Sequence, residues 1–295
     1  MSHFTPLPDG GTIAIVAPSS RGQPDLDGVS LLEKRGFRIK VHAQNFLTDN
    51  QSAGNAAQRA MALSEVFSDP GVHAVMAARG GNRSMHTLPL LDLNFVKNNP
   101  KPFIGFSDST AIANAFCARA GVTAFHGPTL SRITKSQPHE LDQMIAALQG
   151  KTCTLSWDDA VCLRGGTAAG PMIGGNLSMM ASLCGTPYMP PTKGAILFLE
   201  DIGDQLSRYD RMLAQLRLAG VFDQIAGLIF GRMIAQGDSS VTPFGFSDDD
   251  IIAEHTRDLD IPIVAHAPFG HSGPLCTLPV GGHATLDADA LTLTF

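Results

Sequence analysis

The chain is 295 residues long, with a formal net charge of −6 and a pI near 5.9. Apolar residues make up 44% and charged residues 16%, which supports a sizeable core and excludes wholesale disorder. The acidic balance speaks against a nucleic-acid binder, which would carry a basic face, and suits a small-molecule partner.

The first half alternates strand-like and helix-like segments. Thr12 to Ala17 is a β-branched run closed by Pro18-Ser19-Ser20. Asp25 to Arg35 reads as a helix stopped by Gly36, Arg38 to Val41 as a strand, and Asn55 to Ser68 as a helix ended by Asp69-Pro70-Gly71. His73 to Ala78 is a strand that runs into Arg79-Gly80-Gly81. Pro102 to Phe106 is another, followed at once by a helix from about Asp108 to Arg119, and Val122 to Phe125 is the next. Leu141, Met144, Ile145 and Leu148 form one apolar helix stripe. Such alternation predicts a parallel sheet with helices on both faces and sites at the carboxyl ends of its strands.

A polar stretch around Gln149 to Trp157 marks a boundary, dividing the chain into 1–152 and 153–295. The second part opens with Gly165-Gly166 and Gly174-Gly175-Asn176. It continues through an apolar strand, Ala195 to Leu199, that ends in Glu200-Asp201. Tyr209, Met212, Leu213 and Leu216 make a helix face, and strands are expected at Ala226 to Met233 and Ile261 to Ala265. The tail from Cys276 reads as antiparallel ribbons, so this half is a mixed α/β domain.

No apolar run approaches the roughly 18 residues of a spanning helix. The opening Met1-Ser2-His3-Phe4-Thr5-Pro6 lacks the basic and apolar regions of an export signal. Five cysteines without a C-x-x-C pair read as reduced, mostly buried thiols of a cytoplasmic protein. No Walker loop, G-x-G-x-x-G, H-E-x-x-H or Cys/His cluster is present, so neither a cofactor nor a metal is expected.

The sharpest local signal is Phe103-Ile104-Gly105-Phe106-Ser107-Asp108-Ser109-Thr110. A serine at a tight strand-to-helix junction lifts its hydroxyl above the sheet edge, beside helical N–H groups that can stabilise an oxyanion. The plainer reading makes Ser107 or Asp108 a helix cap. A nucleophilic serine needs a base and an orienting acid. His271, in a glycine-flanked loop after a strand, and His126, in Phe125-His126-Gly127-Pro128, are candidate bases, whereas His266 reads as a core residue. Glu200 and Asp201 are near-equal candidates for the acid. Gly80, Gly81 and Asn176 lie on glycine-rich turns that admit a ligand to the backbone. Arg79, Arg83 and Arg232 are candidates for a substrate carboxylate, with surface salt bridges as the plainer reading of each.

Taken together, seven segments in order resemble the LD-carboxypeptidase family of serine peptidases, which includes murein tetrapeptide carboxypeptidases and microcin C self-immunity peptidases. They are TIAIVAPSS, RGGNRSMHTLPLLD, FIGFSDSTAI, FHGP, GPMIGGNLSMMASLCGTPY, AILFLEDIGDQLSRYDRMLAQLRLAG and APFGHSGPLCTLPVGG. The resemblance implies a flavodoxin-like, class I glutamine-amidotransferase-like N-terminal domain and a smaller, swivelling C-terminal α/β domain. It implies Ser107 as nucleophile, Glu200 as orienting acid and His271 as base, with the amides of Asp108 and Gly81 as the oxyanion hole. It also implies a homodimer acting on small peptides, with murein tetrapeptides or peptidyl-nucleotides as the substrate classes. A two-domain solute-binding module is the non-enzymatic alternative. The family usually carries an aromatic residue where this chain has Asn82 and Ile or Val where it has Ser109. Both departures bear on the substrate rather than on the reaction.

Overall fold

The structure, a computed structural model, describes residues 3–236 and 242–295. The first two residues of the opening hexapeptide lie outside them. The described residues form fourteen strands in two sheets. The strands are β1 (Thr12–Val16), β2 (Arg38–Val41), β3 (Ala74–Ala77), β4 (Phe103–Gly105), β5 (Ala124–His126), β6 (Thr154–Ser156), β7 (Val161–Arg164), β8 (Thr167–Asn176), β9 (Ile196–Ile202), β10 (Gly227–Ile234), β11 (Ile263–Ala265), β12 (Leu278–Val280), β13 (His283–Asp287) and β14 (Thr292–Thr294).

The first sheet runs β2-β1-β3-β4-β5 in parallel, with β12 added antiparallel beside β5. Its central strands are apolar (Ala74–Ala77 and Phe103–Gly105 are buried throughout), as a sheet covered on both faces requires, while the edge strand β2 carries Arg38 and Lys40. The covering helices start where the capping chemistry says they should. Asp25 caps the helix Leu26–Lys34, and Asn55 with Gln58 forms a capping box on Ala56–Ser68. The second sheet runs β6-β14-β13-β8-β9-β10-β11-β7, with β8 to β11 parallel and the flanking strands antiparallel.

Three features depart from the sequence reading. The helix expected from Asp108 to Arg119 is built in three pieces: a 3-10 turn at Ser107–Ser109, an α-helix at Thr110–Ala115 and a π-helical turn at Phe116–Ala120. Strand β12, from the tail, crosses into the first sheet instead of joining the ribbon formed by β13 and β14. The thiols are free, but Cys153 alone is buried, and Cys162 is exposed on the edge strand β7.

One apolar core spans the two sheets. It joins Phe103, Ile112 and Phe116 from the first part to Met172, Leu197 and Phe198 from the second. The helix Thr110–Ala115 lies in that seam. Asn114 donates to Gly174 O at 2.8 Å and accepts from the Gly174 amide at 3.3 Å, while Thr110 Oγ1 accepts from the Asn176 amide at 3.0 Å. These bonds are buried, where an unmade partner is costly, so the helix that begins at Ser107 is registered against the end of β8. Asn176 in turn pairs across the sheet with Glu200 on β9. One short chain of contacts therefore links the two sheet edges.

Candidate active site

Ser107 lies one residue beyond β4, after Phe106, at the carboxyl edge of the first sheet, and is half-buried. Its φ is +61°, a left-handed conformation that a non-glycine residue adopts at a cost of about 1–3 kcal/mol. Neither Ser107 nor Asp108 caps the helix. The Asp108 carboxylate instead accepts the Ser84 amide at 2.9 Å, and its carbonyl accepts the Ser84 hydroxyl at 2.6 Å. The plainer reading of this junction therefore fails. Gly80 presses on the serine, since a Cβ there would lie 2.9 Å from Ser107 Cβ. The loop after β1 meets the same turn, with Ser20 Oγ accepting the Asn82 amide at 3.2 Å.

Glu200 lies on β9 with none of its side chain exposed. Its Oε2 accepts from His271 Nδ1 at 2.7 Å and from the His271 amide at 3.2 Å. Two bonds to one residue orient both the ring and the loop. Gly270 makes that approach possible: its φ is +103°, and a Cβ there would run into Glu200 Oε2. The His271 ring, 15% exposed, lies 4.8 Å between centroids from Phe106, the residue before Ser107. Among the described residues no hydrogen bond joins His271 to Ser107, a contact that often tightens only when substrate is bound. Arg132 donates to the carbonyls of His271 and Gly273 at 3.2 and 3.5 Å, fastening the loop to the first sheet's helices.

Asp201, the rival acid, points the other way, as consecutive strand residues do. It accepts from Asn176 Nδ2 at 2.9 Å, the Ser178 amide at 2.8 Å and its neighbour's amide at Ile202, 2.7 Å away. Burial pushes its carboxyl up to about 6, the adjacent Glu200 adding to the shift, against those three donors.

A cleft of about 260 Å³ opens over Ser107, lined by Gly81, Asn82, Asp108, Asn176, Asp201 and Asp204 among others. The expected site residues Gly81, Asn82, Asp108 and Asn176 thus share one cavity with the serine. The three arginines do not line it. Arg79, Arg83 and Arg232 are exposed, and Arg79 donates to the Arg21 carbonyl at 3.1 Å. His126 is fully buried rather than available in a loop. His266 is a partly exposed partner of Asp249 at 2.9 Å, not a core residue. Among the described residues only Asp248, Asp249 and His266 gather three possible metal-ligand atoms within 4.8 Å, and none of them lines the cleft. Arg132 escaped the sequence reading because it sits neither in a glycine turn nor at the end of a strand, and Asp204, next to Gly203 just past β9, because the reading stopped at Glu200-Asp201.

Residues 13–127 match the LD-carboxypeptidase N-terminal domain and residues 169–286 the LD-carboxypeptidase C-terminal domain. The muramoyltetrapeptide carboxypeptidase from Oxalobacter formigenes superposes with a TM-score of 0.84 at 30% identity, covering 96% of this chain and 97% of that one. The chain belongs to the LD-carboxypeptidase family. It is thereby a hydrolase of the serine peptidase type. The murein tetrapeptide carboxypeptidase of Pseudomonas aeruginosa is 29% identical over 98% of this LD-carboxypeptidase and 97% of its own length. The microcin C7 self-immunity protein MccF of Escherichia coli is 28% identical over 89% of this chain and 85% of its own. The wild-type apo structure of MccF matches with a TM-score of 0.90 at 25% identity, over 99% of this chain and 97% of that one. MccF has been solved with glutamyl sulfamoyl guanosine and with aspartyl sulfamoyl adenosine. Among the described residues no helix is long and apolar enough to cross a membrane.

Proposed function

We propose that this enzyme is a cytoplasmic serine carboxypeptidase of cell-wall recycling that removes terminal D-Ala from murein tetrapeptides by cutting the L-to-D peptide bond. In this reading Ser107 attacks the scissile carbonyl while His271 takes its proton through Nε2. Glu200 holds the ring at Nδ1 and stabilises the imidazolium. The amides of Gly81 and Asp108 receive the oxyanion, each donor worth about 10²–10³-fold in rate. His271 then protonates the leaving D-Ala, and water releases the acyl-enzyme from Ser107.

The observation that carries the reading is the 2.7 Å bond from His271 Nδ1 to a fully buried Glu200, on a ring 4.8 Å from that of Phe106, the residue before the strained Ser107. A binding module has no use for that arrangement. The parallel order β2-β1-β3-β4-β5 supports a flavodoxin-like first domain, with a swivelling second domain from about residue 153 that carries Glu200 and His271. We take the working unit to be a homodimer.

The likeness to MccF supports a second reading, hydrolysis of aminoacyl- or peptidyl-nucleotides. The cleft favours the first. Among the described residues Asp108, Asp201 and Asp204 line it with Ser107 and no lysine or arginine does, which suits the ammonium-bearing diaminopimelate or lysine of a murein stem better than an acidic aminoacyl group. Purified enzyme incubated with a murein tetrapeptide and, separately, with an aminoacyl sulfamoyl nucleotide tests this by mass spectrometry. Release of D-Ala is expected. Turnover of the nucleotide conjugate alone overturns the proposal.

A further inference from the structure

His126 ends β5, opposite Gly105 on β4 and Leu278 on β12. It is fully buried, and neither Nδ1 nor Nε2 has a partner. Three aromatic rings enclose it: Phe198 at 5.4 Å between centroids, and Phe106 and Phe269 each at 6.0 Å. Each of these rings flanks one member of the proposed triad. Phe106 precedes Ser107. Phe198 lies two residues before Glu200, on the same face of β9. Phe269 lies two residues before His271. The imidazole thus packs against a near sequence neighbour of each of the three.

Three further buried atoms in these surroundings lack a partner: Ser109 Oγ beside Gly105, Thr277 Oγ1 beside Gly127 and, the one that belongs to a charged group, Glu200 Oε1. Its sister oxygen carries both bonds from His271. A sealed carboxylate with one bare oxygen is a poorly compensated charge, and a neutral imidazole always has one N–H to give. Packing does not account for a histidine here, because phenylalanine would fill an aromatic pocket without burying two polar atoms.

We propose that His126 is a positioning residue for Glu200, its single ring N–H turned on Oε1 directly or across one buried water as His271 takes the serine proton. The inference rests on the assignment of Ser107, His271 and Glu200. Burial keeps the imidazole neutral, as a donor with one free lone pair must be, pushing its pKa down to about 4.

The test compares His126→Phe, His126→Asn and His126→Gln on a murein tetrapeptide, with Ser107→Ala as control. His126→Phe is expected to fold with an unchanged or raised Tm and to lose about 10- to 100-fold in kcat, the worth of one charge-assisted hydrogen bond, with KM little changed. Asn mimics an Nδ1–H donor and Gln an Nε2–H donor, so one of the two recovers about tenfold over Phe. Equal activity of His126→Phe and wild type overturns the inference, as does equal slowness of all three variants. An active Ser107→Ala instead overturns the serine mechanism itself. A measurement that leaves His126 in place is 15N NMR of histidine-labelled enzyme: the resonance of the ring that stays neutral to pH 5 is expected to move on Glu200→Gln, and an unmoved resonance contradicts the proposal.

Discussion

Ser107, just past β4, sits in a backbone conformation that L-residues avoid and is half-open to the cleft, whereas Glu200 sits in the extended β9, opposite a register shift in β10, and is sealed from water. The first sheet's edge holds the proposed nucleophile by strain: a tight turn at φ +61°, pressed by Gly80 and released straight into a helix. The second sheet's edge holds its groups by desolvation, through a buried carboxylate, two hydrogen bonds and an aromatic floor. Strain and burial fail in different ways, so substitutions at the two edges separate them.

The largest effect is expected at the strained edge. Ser107→Ala should lose at least about 10⁴-fold in kcat with normal folding, as removal of a nucleophile does. Ser107→Gly should be equally inactive, yet more stable by about 1 kcal/mol, because glycine takes positive φ freely. Parallel thermal melts and peptide turnover check both, and a Ser107→Gly protein no more stable than wild type would show that the turn stores no strain.

At the buried edge, Glu200→Gln keeps the shape and loses the charge. It should cost about 10³–10⁴-fold in kcat near neutral pH, because the amide can hold the ring in the wrong tautomer and cannot offset the imidazolium. Activity within tenfold of wild type would place the acid elsewhere, with Asp201 the next residue to try.

Between the edges, Asn114→Ala removes both bonds to Gly174 and leaves buried backbone groups unpaired. A loss of about 1–3 kcal/mol is expected by denaturant titration. Its kcat should fall with it if this seam sets the distance between serine and histidine.

An effect of similar size, seen only in acid, concerns the stability contributed by His126. The folded-state pKa of His126 is pushed down to about 4, mainly by burial, while the unfolded chain titrates near 6.5. The unfolded state therefore takes up the proton first as pH falls. Stability from this group is complete above about 6.5 and is lost by roughly 3 kcal/mol on the way to 4. His126→Phe has no such proton to take up. Its Tm advantage over wild type should widen from pH 7 to pH 4.5, and a constant difference would mean that the ring is not held neutral.

Much of this arrangement could be read from residues alone. β-branched and apolar runs stopped by Gly, Pro and Ser mark the parallel strands, and the serine at the end of FIGF stands out because strand meets helix without a loop. Choosing Glu200 over Asp201 could not rest on local pattern, since strand alternation says that the two face opposite ways but not which face meets a histidine 71 residues later. The resemblance to the family made that choice; in the structure Glu200 is the one of the two that bonds to His271, and the assignment remains a proposal. The arginine expectations did not match the cleft because exposure depends on how the loops pack, not on the glycines beside them. The partner of β12 was hidden because nothing in Leu278–Val280 names β5, far back in the chain, as its neighbour. The isolation of His126 is likewise a property of three distant aromatic residues rather than of its own motif.

The claim that two sheets build one proton relay is tested most directly by covalent labelling with a fluorophosphonate, which reacts only with an activated serine. Peptide mapping by mass spectrometry should place a single label on Ser107, and His271→Ala and Glu200→Gln should each slow labelling by at least about 10²-fold. A label on another residue, or labelling of Ser107 at the wild-type rate in both variants, would contradict the account.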